Sequence, residues 1–373
     1  MENIKKTIVL KLTKDCNLQC KYCYERNRNV PENNLRDIKP SKIIRILNQN
    51  SKNCDFLFLL HGGEPLLMGK EEFKEVIKEL ENAKSNNNVF ELAIQTNGTL
   101  LYDEWIDLLD SASEFLGERE IGISIDRPEF INDSARVTKN NTGSFQKIIR
   151  NIDKLKKAEF LFGLLFVIGR HNLKYHNEIN DFIQSIKPNF VRFLPCSDFD
   201  SNGQLKEFSI SPLEFTIFLE NIYDSWLADN RSEIILDPIA SIISNLTDSN
   251  TNWCEYMYQK CNNFLIIETN CLIGACDNWQ NNNIYLNEKP ISELSEFELD
   301  DIFSFNNLNF EKIDDRVKNL MSDCESCSVF NNCRGGCVAT RHFYKTEKES
   351  FYKEYCVAKK RIITKIENSL MQL

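Results

Sequence analysis

The sequence predicts an α/β protein, a partial (β/α)6 barrel of TIM-like design followed by a cysteine-rich C-terminal domain. Three observations predict it. Short apolar runs alternate with amphipathic stretches six times in the first half of the chain. The unusual polar motifs fall just after the apolar runs. Nine of the fourteen cysteines lie between Cys254 and Cys356.

The apolar runs read as strands are Thr7–Leu12, Phe56–Leu60, Phe90–Gln95, Ile121–Ser124, Leu161–Ile168 and Phe190–Leu194. Helical periodicity fills 41–49, 70–84, 103–114, 144–157 and 174–185. Six such units are too few for a closed eight-stranded barrel. A cysteine triplet follows the first strand, HGGEP (61–65) the second, QTNG (95–98) the third, and SIDRP (124–128) ends the fourth. Loops at the carboxyl ends of barrel strands open on one face, so these four are expected to converge on a site. The polar stretch Ser197–Glu207 reads as a linker, and Ser211 as the N-cap of a helix over Pro212–Ala228. The expected division is a core at 1–200, a helical linker region at 201–250 and a cysteine-rich domain at 251–373.

Composition narrows the function. The net charge of −10 argues against a phosphate-binding surface, so no nucleic-acid partner is expected. The longest apolar run, 160–168, is far below the roughly 20 residues of a membrane helix, and the start carries no secretory signal. A cytoplasmic protein without a membrane partner is expected. In a reducing compartment clustered cysteines are metal ligands more often than disulfides. None of the four histidines falls in a cysteine cluster, which leaves four-thiolate zinc or iron–sulfur sites.

The stretch KDCNLQCKYCYE (14–25) sets Cys16, Cys20 and Cys23 in a C-x3-C-x2-C spacing. Three thiolates leave one position of a metal centre open; a zinc knuckle is the plain alternative. The loop resembles the signature of the radical S-adenosylmethionine (SAM) superfamily. That resemblance implies a [4Fe–4S] cluster whose fourth iron is chelated by SAM, and a 5′-deoxyadenosyl radical that abstracts hydrogen. It further implies that Gly62, Gly63, Glu64 and Pro65 form the family's GGEP motif, with Glu64 on the SAM amino group. Tyr22 or Tyr24 would contact adenine, and Asn97 would be a ligand contact or a turn former. Ser124 and Asp126 would lie near the ribose and carboxylate, and Arg136 would pair with the SAM carboxylate. Arg127 and Asn132 depart from the family's usual Gly and His.

The C-terminal cysteines resemble the SPASM domain of radical SAM enzymes that modify peptides and proteins. This implies two auxiliary [4Fe–4S] clusters, one on Cys254, Cys261, Cys276 and Cys337, the other on Cys324, Cys327, Cys333 and Cys356; a pair of zinc sites is the alternative. Three [4Fe–4S] clusters are thus expected in all. Cys54, Cys196 and Cys271 are left unassigned, with Cys271 close enough in sequence to replace Cys276. Asp277 matches a carboxylate position of anaerobic sulfatase-maturating enzymes, where it implies a general base; a solvated acid is the alternative.

The expected function is therefore that of a radical SAM/SPASM maturase. It would act on a ribosomally made precursor peptide and form a thioether or carbon–carbon crosslink. A sulfatase maturase making formylglycine is the second reading, and a non-catalytic iron–sulfur electron carrier the third. Expected partners are a peptide or protein substrate, a one-electron donor such as flavodoxin or ferredoxin, and a separate leader-peptide-binding protein. The last follows from a first strand that begins near Thr7.

Overall fold

The computed structural model describes residues 5–25, 39–51, 53–229, 233–249, 251, 253–258, 261, 264–280, 285–286, 289–295, 298–299, 302 and 308–372. The six expected strands are present as β1 (Lys6–Lys11), β2 (Asp55–His61), β3 (Val89–Thr96), β4 (Leu116–Ser124), β5 (Gly163–Ile168) and β6 (Phe190–Pro195). Helices α1 (Pro40–Gln49), α2 (Lys70–Ala83), α3 (Asp103–Ser111), α5 (Phe145–Lys157) and α6 (His176–Ile186) occupy the expected segments. A short helix, α4 (Glu129–Ala135), lies within the SIDRP stretch, where no periodicity marked it.

The chain divides into two compact units that interleave along the sequence. One comprises 1–123, 138–162 and 261–313, the other 124–137, 163–260 and 314–373.

In the first unit β1 to β4 are parallel neighbours in chain order, with Leu10 opposite Leu60 and Leu60 opposite Ile94. Alternation decides which face is buried: Phe56, Phe58 and Leu60 are almost fully enclosed. The ring of Phe90 stacks on Phe56 at 5.4 Å and meets Phe58 edge-on at 5.1 Å. Each such ring contributes about 1.5–3 kcal/mol through burial. Ile43, Ile44 and Leu47 of α1 and Phe73, Val76 and Leu80 of α2 are buried at helical spacing. A further strand, β8 (Phe264–Ile267), comes from the cysteine-rich half of the chain and pairs parallel with β1, Thr7 opposite Phe264. The two-residue β9 (Ile273–Gly274) returns antiparallel to β8. The turn just after Ile267 therefore delivers the Cys271–Asp277 segment to the first unit.

In the second unit β5, β6 and β7 (Ile235–Asp237) are parallel neighbours. Helix α7 (Pro212–Ala228) begins where expected. Ser211 accepts from Glu214 N–H while the Glu214 carboxylate accepts from Ser211 N–H, a complete capping box. It packs on the helix Glu349–Leu370, where Arg361 forks onto Glu220 and Lys365 meets Asp224 at 2.8 Å. Among the described residues no helix is long and apolar enough to cross a membrane.

Candidate functional site

The site in the first unit begins where β1 ends. The backbone of the cysteine loop is clamped to the loop after β2 by three hydrogen bonds. Leu12 N–H donates to His61 O (3.1 Å), Gly63 N–H to Thr13 O (2.7 Å) and Glu64 N–H to Asp15 O (3.0 Å). Only glycine permits this approach. Gly62 has φ +122°, and a Cβ there would stand 2.6 Å from Thr13 O; a Cβ on Gly63 would stand 2.0 Å from Asp15 O.

Glu64 is fully buried, and its carboxylate accepts from Leu66 N–H (3.2 Å), Thr96 Oγ1–H (2.7 Å) and Asn97 N–H (2.8 Å). It caps the single turn Pro65–Met68, in which Pro65 takes the first position without losing a donor that the turn needs. The carboxylate thus ties the GGEP loop to the TNG turn. Asn97, a turn former and a contact at once, donates to Asn17 Oδ1 (2.9 Å) and to Cys16 Sγ (3.5 Å). Its own Oδ1 accepts from Thr99 N–H and Thr99 Oγ1–H. The turn is anchored from α5, where Asn151 donates to Gly98 O (2.8 Å).

The three cysteines are half-buried along one loop, with Cys23 N–H donating to Cys20 O. Burial pushes the Cys16 thiol up, and Leu18 N–H and the Asn97 amide, which face its sulfur, act in the opposite direction. Tyr22 is half-buried and Tyr24 is exposed.

Lys11 is a residue that sequence reasoning missed. It ends β1, its side chain is 1% exposed, and it forms an ion pair with Glu25. The same ammonium donates to Tyr24 Oη (3.0 Å) and stands 3.3 Å from Asp277 Oδ2. Tyr24 Oη–H in turn donates to Asp277 Oδ2 (3.3 Å). One buried cation therefore closes the cysteine loop at both ends, through Lys11 and Glu25, and brings to it the carboxylate that follows Cys276. No local sequence signal marks it: Tyr24 and Glu25 return to it only through the fold of the cysteine loop, and Asp277 arrives with the segment after β8.

Also in this unit, the fully buried Trp279 donates Nε1–H to Cys261 Sγ (3.2 Å) and N–H to Cys276 O (3.1 Å). One residue thus touches both cysteines, Cys261 through its indole and Cys276 through its backbone. Cys271 closes the turn after β8 with φ +61°, and burial pushes its thiol up to about 11.

In the second unit Asp126 is fully buried. Its N–H donates to Asn132 Oδ1 (3.1 Å), and its carboxylate lies 3.6 Å from Nε2 of His171, a second residue the sequence did not single out. Asn132, which departs from the family's His, thus holds the SIDRP loop by capping a backbone donor. The other departure, Arg127, lies over the ring of Phe182 at 4.7 Å. Ser124 ends β4, and Arg136, almost fully buried, donates its N–H to Asn132 O (2.7 Å).

The C-terminal cysteines form two groupings here. Cys324, Cys327, Cys333 and Cys356 line one cavity together with Arg341 and Lys359. Cys337 N–H donates to Tyr355 Oη (2.9 Å), whose own proton goes to the Glu255 carboxylate beside Cys254. Cys54 is half-buried, and Cys196 is a buried thiol raised by burial, 3.8 Å from Ser209 Oγ. Among the described residues no three His, Cys, Asp or Glu side chains stand at the spacing of a single bound ion. The donor sets themselves are thiol-only, and a buried Arg341 Nε–H without a hydrogen-bond partner belongs to the wall of the four-cysteine cavity. Thiolate donors with N–H groups beside them fit iron–sulfur clusters.

Comparison with known proteins bears on this arrangement. Residues 10–183 match the family model of the Radical SAM superfamily, a span that holds Lys11, the cysteine loop, the GGEP loop and the TNG turn. Residues 10–183 are a radical SAM domain. The chain is 28% identical, over 336 residues, to the cysteine-type anaerobic sulfatase-maturating enzyme of Clostridium novyi (strain NT), covering 87% of this chain and 85% of that one. Its fold is shared with native anSMEcpe bound to AdoMet and the Cp18Cys peptide (TM-score 0.76, 21% identity, 98% of this chain and 99% of that chain). The fold is shared as well with Streptococcus suis SuiB bound to its precursor peptide SuiA (TM-score 0.65, 18% identity, 91% and 73%). Residues 10–183 thus carry the domain of an enzyme class whose cofactors are SAM and a [4Fe–4S] cluster.

Two substitutions test the geometry. Gly63→Ala forces the glycine loop off Asp15, and SAM-dependent release of 5′-deoxyadenosine is expected to fall by about a hundredfold, since misplacement of about an ångström has that effect. Lys11→Met leaves Glu25 buried without its cation; a loss of roughly 3–5 kcal/mol of stability is expected, read as an earlier unfolding midpoint in denaturant.

Proposed function

We propose that this radical SAM enzyme oxidises a Cys or Ser side chain of a peptide or protein to formylglycine. The observation that carries the reading is the Lys11–Tyr24–Asp277 cluster, which brings a partly exposed carboxylate beside the cysteine loop within one compact unit. The near end-to-end likeness to the cysteine-type maturase supports it. When bound, SAM and the clusters supply a hydrogen-abstracting 5′-deoxyadenosyl radical and an acceptor for the electron left on the substrate.

The chain's own residues have the following roles in this reading. Cys16, Cys20 and Cys23 hold the first cluster. The Gly62–Pro65 loop and Asn97 shape the SAM pocket, with Tyr22 or Tyr24 against adenine and Ser124, Asp126 and Arg136 toward the ribose and carboxylate. Asp277, held by Lys11 and Tyr24, takes the proton of the substrate thiol or hydroxyl. Cys254, Cys261, Cys276 and Cys337 hold a second cluster and Cys324, Cys327, Cys333 and Cys356 a third. A core at 1–200, a helical region at 201–250 and an auxiliary-cluster module at 251–373 remain the functional division. An external flavodoxin or ferredoxin supplies electrons in the cytoplasm.

A second reading keeps the same site and changes the product. SuiB's likeness, with its bound precursor peptide, and the Arg127 and Asn132 departures favour a thioether or carbon–carbon crosslink in a precursor peptide, with a separate leader-binding protein.

Anaerobic incubation with SAM, dithionite and a Cys-containing peptide distinguishes them by mass spectrometry. Formylglycine from Cys loses two hydrogens and exchanges sulfur for oxygen; a crosslink loses two hydrogens and retains sulfur. Asp277→Asn is expected to keep peptide-independent SAM cleavage while lowering product at least about a hundredfold. Retained sulfur would move the assignment to the crosslink, and unchanged turnover in Asp277→Asn would remove the base.

A further inference from the structure

We propose that Arg341 sets the reduction potential of the cluster held by Cys324, Cys327, Cys333 and Cys356, by placing a buried positive charge and a spare N–H donor in the wall of their cavity. The inference rests on the cluster assignment made above. Arg341 is 1% exposed and shares the cavity lining with all four cysteines. Its Nη1–H donates to Gly335 O (3.0 Å), just after Cys333, and its Nη2–H to Leu320 O (2.9 Å) and Tyr352 Oη (3.0 Å). Those partners are all neutral. Nε–H remains, buried and without a hydrogen-bond partner among the described residues.

The other cations of the cavity are arranged differently. Lys359 is matched by Glu255 at 2.6 Å and bonded to Tyr256 Oη at 2.8 Å, and Lys360 is exposed and screened by solvent. Among the described residues no carboxylate forms an ion pair with Arg341; Asp323 accepts from the Tyr352 hydroxyl and is paired with Lys345 at 2.7 Å. Arg341 is therefore the buried cation of this wall with no carboxylate directly on it.

A cluster held by four thiolates gains one negative charge when it accepts an electron. A fixed positive charge and an N–H donor toward its sulfurs favour the reduced form and raise the potential. That makes this cluster the better acceptor for an electron leaving the substrate. The guanidinium's two carbonyl contacts also brace the turns around Cys324 and Cys333, so structure and potential have to be read separately.

The test is a potentiometric titration of the iron-replete holoenzyme followed by EPR, with iron counted for each variant. In Arg341→Gln one cluster transition is expected to move down by at least 59 mV, tenfold in a one-electron equilibrium, while the other transitions stay. Arg341→Lys, which keeps the charge, should move it less. Asp323→Asn, which removes the acid behind Tyr352, should move the same transition up. If Arg341→Gln does not hold iron, Asp323→Asn decides: an upward shift supports the proposal, no shift overturns it. Iron-replete Arg341→Gln with every transition unmoved also overturns it. Wild-type protein that binds no iron at these cysteines would instead remove the cluster assignment itself.

Discussion

The site depends on a single close contact between two backbones. Thr13 and Asp15 accept hydrogen bonds from Gly63 and Glu64, and no side chain fits between the strands of the chain that meet there. A radical generated at a cofactor has to be aimed, and misplacement by an ångström is enough to lose it. The protein meets this demand with main-chain contacts, which have few conformational alternatives, and not with flexible side chains. The two glycines give up conformational entropy on folding in return for that rigidity.

The second constraint is electrostatic. Two acids are enclosed beside the cysteine loop, and each is satisfied differently. Glu64 is surrounded by three donors and acts as a crosslink between loops. Glu25 is matched by Lys11, whose charge is shared with Asp277. Buried charges are costly unless paired and hydrogen-bonded, so these side chains have little freedom to leave their positions. The same economy recurs in the second unit, where Tyr355 bridges Cys337 and Glu255 and Tyr352 stands between Arg341 and Asp323.

Much of the fold was legible because the signals are local. Strands β1, β2, β3 and β6 begin and end within a residue or two of the apolar runs, and the Ser211 cap is read directly from neighbouring residues. β4 starts earlier than expected because the polar Glu118–Glu120 run hides its first half. Leu161 is exposed, and β5 starts only at Gly163. The glycine and cysteine motifs were legible because a loop clamp and a multi-thiolate site need fixed short spacings. Lys11, His171 and Arg341 were not. Each acquires its meaning from partners that the folded chain brings beside it, and a lone basic residue carries no record of them. The placement of β8 beside β1 was hidden for the same reason, since FLII does not say which strand it will join.

The most direct test of the account is low-temperature EPR of the reduced, iron-replete protein before and after SAM is added. In the proposed reading the three cysteines of the clamped loop leave one iron of their cluster for SAM. The account predicts that one of the reduced-cluster signals changes shape on SAM addition and that this response is absent in Cys20→Ala. Spectra that are indifferent to SAM, or cysteines loaded with zinc alone, would contradict it.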